Sequence, residues 1–142
     1  IGNMLFFYAF ATNLEDIMGH FRFLLFYIVC GIISAVVYII PNFSSPIPLI
    51  GASGAIAGVM GAHFRALPGT RISCLLIIFR ITLPAIVILL PWIILQFYNQ
   101  MNQGQSSVAW LAHIGGFIFG FLFVRKFQGN KYKVLGYCDS ER

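Results

Sequence analysis

The most informative part of the sequence is Gly51-Ala52-Ser53-Gly54-Ala55-Ile56-Ala57-Gly58-Val59-Met60-Gly61-Ala62, in which small residues surround a single serine. On a helix that turns about 100° per residue, five of these residues fall within about 140° of one another: Ser53, Gly54, Ala57, Gly58 and Gly61. Such a smooth stripe lets the backbone of a second membrane helix approach closely. We therefore expect a helix over residues 53–67 that packs along this stripe.

A second stripe of small residues surrounds a histidine further along the chain. On a helix over residues 108–127, Ala109, His113, Gly116 and Gly120 share one face, and the two glycines have GxxxG spacing. We expect the two helices to touch, which would bring Ser53 towards His113. The expected packing glycines are Gly51, Gly54, Gly58, Gly61, Gly116 and Gly120.

The composition excludes an ordinary soluble domain. Of the 142 residues, 59% are hydrophobic and 9% are charged, against about 45–50% apolar and about 25% charged residues in soluble domains. The net charge is +5, but the basic residues are few and scattered among apolar runs. They therefore do not indicate a nucleic-acid surface. At roughly 20 residues per membrane-spanning helix, the apolar runs supply roughly four or five spans. The chain is expected to be one polytopic membrane unit.

Five apolar segments predict an all-α helical bundle, at residues 1–11, 21–40, 53–67, 72–98 and 108–127. The first segment is too short to cross alone and lacks a basic leader, so we expect an upstream part that continues it. The fourth segment is longer than a crossing needs. We expect its first part, to about Thr82, to be interfacial or re-entrant, and its span to cover residues 83–98.

The basic residues predict the orientation in the membrane. If residues 21–40 run outward, one side holds every lysine and arginine: Arg22, Arg65, Arg71, Arg80, Arg125, Lys126, Lys131, Lys133 and Arg142. By the positive-inside rule this side is cytoplasmic. The uncharged loops at residues 41–52 and 99–107 then face outward, and the polar tail, residues 128–142, is cytoplasmic and expected to be poorly ordered.

Ser53 and His113 are both expected in the outer half of the membrane, which suits a nucleophile and its base. A helix N-terminus leaves backbone N–H groups free to stabilise an oxyanion. No acid is available as a third member, because all four fall on the cytoplasmic side: Glu15, Asp16, Asp139 and Glu141. Catalysis must then use a dyad, with His113 oriented by packing.

Plainer interpretations exist for each of these residues. A glycine-rich helix is often only a packing face, and a membrane serine often bonds its own backbone. An ionisable histidine inside a membrane, however, is a functional candidate by default. Asn3 is interpreted either as an interhelical hydrogen-bonding residue or as an amide donor to an oxyanion. His63, near the cytoplasmic end of its helix, is expected to have an interfacial role.

Metal chemistry is not expected. The chain has no HExxH motif, and its three cysteines lack metal-type spacing. No aspartate lies within a span, which disfavours an aspartyl dyad. We expect no metal and no cofactor. Trp92 and Trp110 are expected to be packing or interfacial anchors.

Several motifs occur together and in a specific order. They are Gly51-Ala52-Ser53-Gly54 (GxSG), Ala112-His113-Ile114-Gly115-Gly116 with Gly120, Gly2-Asn3-Met4-Leu5, and Glu15 followed by Gly19, Arg22 and Phe23. This combination resembles the rhomboid family of intramembrane serine proteases. The resemblance extends from Ile1 to about Phe127.

The resemblance implies a six-span bundle, with about five spans represented here, and a rhomboid-like transmembrane domain at residues 1–127 followed by the tail. It implies that Ser53 attacks the scissile carbonyl, that His113 acts as base and then acid, and that the Ser53 N–H and Asn3 bind the oxyanion. A further oxyanion histidine, four residues before Asn3, would fall before Ile1. Some members carry an aromatic residue one turn after the serine, where this chain has Ala57.

Two functions remain open from the sequence alone. The first is an intramembrane serine endopeptidase, in the plasma membrane, that cuts membrane-anchored proteins in or near their transmembrane helices. The second is a catalytically silent adaptor that binds transmembrane helices without cutting them. A transporter or channel is disfavoured because few charges lie within the spans. The lipid bilayer and transmembrane proteins are the expected partners, with no nucleic acid, and the oligomeric state stays open.

Overall fold

The computed structural model describes residues 2–44, 51–76, 79–102 and 109–129. Its elements, in chain order, are α1 (Gly2–Met18), α2 (His20–Ile39) with a short 3-10 turn (Ile40–Asn42), α3 (Ser53–Ala66), β1 (Arg71–Leu76), β2 (Phe79–Pro84), α4 (Ala85–Met101) and α5 (Trp110–Phe127). This confirms the predicted helical bundle. Most of the tail lies outside the described residues, as do parts of both loops that are predicted to face outward, so the domain boundary at residue 127 stays a prediction.

The helix α3 is the centre of the bundle, and α5, α2 and α1 pack around it. Every residue from Gly54 to His63 is buried. The 14 residues of α3 span about 21 Å, which is shorter than the roughly 30 Å hydrocarbon core of a bilayer. A helix this short needs protein around its ends, because main-chain groups exposed to lipid go unsatisfied.

The backbones of α3 and α5 run parallel and touch along the two small-residue stripes. A methyl group added at Gly58 would lie 3.2 Å from the carbonyl oxygen of Gly116. One added at Gly120 would overlap the Gly58 carbonyl, and one at Gly61 would overlap the main chain of Phe117. Residues without a side chain are therefore required at this interface.

The same helix also accepts α2 at close range. A methyl group at Gly54 would press on the side chain of Ser34, and one at Gly58 would press on Cys30. Both of these α2 side chains are buried. Glycines of α3 thus allow two neighbouring helices, α2 and α5, to approach closely. This explains why so many small residues are concentrated in one segment.

His63 connects α3 to α1. Its ring is fully buried at 0% exposure and lies edge-to-face against Phe10, with ring centres 5.2 Å apart. Its Nδ1 donates a hydrogen bond to the Phe10 carbonyl oxygen at 3.2 Å, while Nε2 has no hydrogen-bond partner in the part of the chain that the structure describes. The predicted interfacial role of His63 is wrong, because the ring lies inside the bundle.

The first helix is longer than its apolar segment indicated. It continues past residue 11 to Met18, because Leu14, Ile17 and Met18 are buried on the face that also buries Phe10. The intervening polar residues do not end the helix. Thr12, for example, is exposed and bonds the carbonyl oxygen of Tyr8 at 3.1 Å.

A β-hairpin occupies the region that was expected to be interfacial or re-entrant. The strands β1 and β2 pair antiparallel, with Arg71 opposite Pro84 and Leu76 opposite Phe79. Both strands are rich in β-branched and other apolar residues, which favour extended structure. The next helix begins at Ala85, two residues later than the predicted span, and its first N–H donates to the Thr70 carbonyl at 2.8 Å.

Within the described residues, two helices are long and apolar enough to cross a membrane, judged by length and composition: residues His20–Asn42 and α5. The helix α4 is apolar but shorter, at 17 residues. Large apolar side chains are exposed on the outer surface of the bundle, including Leu5, Tyr8, Phe21, Ile32, Ile94 and Tyr98. Apolar surface on this scale is unusual for a soluble monomer and is suited to contact with lipid.

Replacing Gly120 by alanine should destabilise the bundle, because the main chain of Gly58 cannot move away from an added methyl group. Overpacking of this kind costs about 1–3 kcal/mol. The matched control is Gly69→Ala, since no atom of the described residues lies within 4 Å of a methyl group there. Thermal unfolding in detergent should show a lower midpoint for Gly120→Ala only, and equal midpoints would contradict the backbone contact.

Candidate active site

Ser53 is the first residue of α3 and follows a turn that needs glycine. Gly51 has φ 116°, a conformation that residues with side chains rarely adopt. Among the described residues, the nearest atom to a methyl group there would be Ser53 Oγ, at 3.9 Å. Gly51 thus turns the chain into α3, and its predicted helix-packing role stays a prediction. The main-chain N–H groups at this helix start lack acceptors within the helix.

His113 lies in the first turn of α5, beside Ser53. Its Nε2 is 2.9 Å from Ser53 Oγ, within hydrogen-bond distance. Because α3 and α5 are parallel, their N-terminal ends lie at the same end of the bundle, and each contributes one of the two side chains. Both residues are partly buried. The structure thus brings this serine and histidine together, and their catalytic role stays a prediction.

A third residue, Gln96 of α4, contacts the histidine from its other side. Its Oε1 lies 2.8 Å from His113 Nδ1, and its Nε2 donates to the carbonyl oxygen of Trp92 at 3.1 Å. Gln96 is 3% exposed. The expectation that packing orients His113 is incomplete, because a buried hydrogen bond also holds the ring. Gln96 is not among the site residues predicted from the sequence, although it is the one amide within residues 83–98.

Two tryptophans enclose the histidine ring. The ring centre of Trp92 is 6.0 Å from that of His113, at an interplanar angle of 34°. Trp110 is 5.9 Å away and nearly perpendicular, at 84°. The helix α3 contributes only a buried Ala57 at the position where some rhomboids carry an aromatic residue. Aromatic support for His113 therefore comes from α4 and α5.

Asn3 is the predicted site residue that the structure does not bring to the pair. It lies in the first turn of α1, is exposed, and makes no side-chain hydrogen bond among the described residues. The hydrogen bond between α1 and α3 lies deeper, at Phe10 and His63. The predicted oxyanion role of Asn3 stays a prediction.

The family model for the Rhomboid domain matches residues 1–128. The chain belongs to the rhomboid family. Comparisons with curated proteins and with solved structures found no match. This rhomboid is thus an intramembrane protein, and the serine of its GxSG motif and the histidine of its second motif are the pair joined at 2.9 Å. Among its described residues, no group of His, Cys, Asp or Glu side chains is placed to hold a metal ion.

Intrinsic fluorescence should report on His113 in this rhomboid. The chain has two tryptophans, and both contact the His113 ring. A protonated imidazole quenches a neighbouring indole, so acidification should lower the emission of the wild-type protein. The pH dependence should disappear in His113→Ala and persist in His20→Ala, whose exposed histidine pairs with Glu15 and makes no ring contact with a tryptophan among the described residues. An unchanged titration in His113→Ala would contradict the ring contacts.

Proposed function

We propose that this rhomboid is an intramembrane serine endopeptidase in which Ser53 is the nucleophile and His113 is the general base and acid. The observation that carries the proposal is the 2.9 Å contact between Ser53 Oγ and His113 Nε2. Polar and ionisable groups are costly inside a membrane and are functional candidates there. A serine and a histidine in contact at one end of two apolar helices form the arrangement that nucleophilic catalysis requires.

The first step forms an acyl-enzyme. Ser53 Oγ attacks the carbonyl carbon of the scissile peptide bond while its proton passes to His113 Nε2, which gives a tetrahedral intermediate with a negatively charged oxygen. The imidazolium then donates this proton to the leaving amide nitrogen, and the C–N bond breaks. The substrate acyl group is left on Ser53 as an ester, and neutral His113 is restored.

The second step hydrolyses this ester. Water gives a proton to His113 Nε2 and its oxygen attacks the ester carbonyl. The proton then returns to Ser53 Oγ as the ester bond breaks. The products are a carboxylic acid and the free serine. This step requires water at the site, which is consistent with the exposed Gly51 and Ala52 beside Ser53.

The helix N-termini favour the developing negative charge. The first N–H groups of α3 are unpaired within the helix, and the helix dipole places partial positive charge at this end. The N-terminus of α5 lies at the same end of the bundle and adds to the field. We propose Asn3 as a side-chain donor to the same oxyanion, alongside the Ser53 N–H.

The proposed substrates are membrane-anchored proteins, cut in or near a transmembrane helix. This follows from the position of Ser53 within an apolar bundle, at the end opposite to the basic residues. With those basic residues on the cytoplasmic side, the site opens to the outer half of the membrane and the chain ends in the cytoplasm. We propose the plasma membrane as its location and residues 1–127 as the catalytic domain.

Removing either member of the pair should abolish cleavage. In the full-length protein in membranes, Ser53→Ala and His113→Ala should reduce cleavage of a transmembrane substrate to background, because neither nucleophile nor base can be replaced. A fluorophosphonate probe should label wild type but not Ser53→Ala. Ser34→Ala is the matched control, since that serine is buried and bonds the Gly31 carbonyl at 2.8 Å. A wild-type protein that binds transmembrane helices but shows neither cleavage nor labelling would instead be an adaptor.

Replacing Asn3 by alanine should slow cleavage without removing it. Loss of one oxyanion donor lowers kcat by about a hundred- to a thousandfold in other serine proteases, and the backbone N–H groups of α3 remain. Asn13→Ala, on the same helix, should retain wild-type kcat. Equal rates for Asn3→Ala and wild type would remove Asn3 from the oxyanion site.

A further inference from the structure

We propose that Gln96 is a positioning residue that fixes the tautomer and the orientation of His113. The inference deepens the proposed function and rests on it for its kinetic consequences. Gln96 is buried, lies on a different helix from both members of the pair, and contacts His113 on the nitrogen that Ser53 does not use. In serine proteases, the group in this position decides which imidazole nitrogen carries the proton.

The main chain of α4 determines which way the Gln96 amide points. The carbonyl oxygen of Trp92 can only accept a hydrogen bond, so the group 3.1 Å from it must be the amide nitrogen, Nε2. The amide oxygen then faces His113 Nδ1 at 2.8 Å. A flipped amide would place two oxygens against each other at the Trp92 end, which is repulsive.

The orientation of the Gln96 amide also determines the tautomer of His113 and the direction of its hydrogen bond with Ser53. Gln96 Oε1 is an acceptor, so His113 Nδ1 must carry the proton that it accepts. In the neutral ring, Nε2 then holds a lone pair and accepts from the Ser53 hydroxyl at 2.9 Å. The hydroxyl proton therefore points at the base that removes it. In the other tautomer, Nε2–H would donate to Ser53 Oγ, and the ring could not take the serine proton.

An amide suits this position in a membrane better than a carboxylate. An unpaired carboxylate in an apolar interior is strongly disfavoured, whereas an amide with both ends bonded is tolerated. The amide oxygen also stabilises the imidazolium that forms during the reaction, since Nδ1–H remains bonded to it. Gln96 thereby orients the ring without a charge, at an end of the bundle where the described residues include no acid.

The kinetic test compares Gln96→Leu with Gln100→Leu in the full-length protein. Gln100 lies one turn further along α4 and is exposed, so its replacement makes the same chemical change away from His113. Gln96→Leu leaves Nδ1–H without its acceptor and should lower kcat roughly ten- to a hundredfold with KM close to that of the control, and the unpaired buried group should also lower the unfolding midpoint. A kcat within threefold of the Gln100→Leu value would overturn the proposal.

A pH profile separates positioning from a purely structural role. Gln96→Glu keeps an acceptor oxygen at the same place and adds negative charge, so it should retain more activity than Gln96→Leu. The charge favours the imidazolium, and neutral His113 is the active form, so the acid limb of the kcat/KM profile should move up by about one pH unit. An acid limb that stays in place would count against the proposal.

A spectroscopic test does not depend on activity. The 15N resonances of histidine-labelled protein show which imidazole nitrogen is protonated, and His113→Ala assigns the His113 signals. Wild-type His113 should be protonated at Nδ1 near neutral pH, and Gln96→Leu should populate the Nε2–H form while leaving His63 unchanged. Dominance of the Nε2–H form in wild type would overturn the inference. Absence of cleavage by wild type, with the Nδ1–H form present, would instead overturn the proposed protease function alone.

Discussion

The structure depends on the contact between the backbones of α3 and α5. Within lipid, little hydrophobic force brings two helices together, so close van der Waals packing of small residues has to do so. Gly58, Gly116 and Gly120 allow the two main chains to touch, and overlapping methyl groups would separate them. This contact fixes the rotation and the depth of each helix, and both are needed to place Ser53 beside His113.

The remaining site residues are positioned by the elements that surround this contact. The turn at Gly51 starts α3 at the serine, and the first turn of α5 carries the histidine. The helix α4 then supplies Gln96, which bonds the imidazole nitrogen that Ser53 does not contact, and Trp92, which packs against the ring. In this low-dielectric interior each hydrogen bond is stronger than it would be in water. An unpaired polar group is also more costly there than in water. A connected chain of polar groups is therefore more stable there than isolated ones.

The sequence predicted the parts of this arrangement that depend on local pattern. Apolar length gave the helices, and the small-residue stripes indicated which two helices meet. The misses have physical reasons. Gln96 is not predicted because only acids were considered as the third group beside Ser53 and His113. A single amide in an apolar span indicates a polar contact inside the bundle, as Asn3 does in its own segment. The prediction for His63 used only its position near the end of its own helix. It missed the burial of the ring because α1, which covers that ring, extends further than its apolar segment indicates.

Other differences concern features that pattern alone does not determine. Residues 71–84 are apolar enough to be interpreted as part of a membrane segment, and only the pairing of Arg71 with Pro84 identifies a hairpin. Gly51 belongs to the same glycine-rich motif as Gly54, yet one sets a turn and the other admits the Ser34 side chain. A glycine motif thus shows where side chains are absent, but it does not show whether a given glycine is needed for a turn or for close packing.

The most direct measurement is an experimental structure of the full-length protein in lipid after reaction with a fluorophosphonate. Phosphorus bonded to Ser53 Oγ, the His113 imidazole within hydrogen-bond distance of that adduct, and touching main chains at Gly58 and Gly120 are the results expected. An unmodified Ser53, or a His113 ring on a face of the bundle remote from α3, would contradict the account.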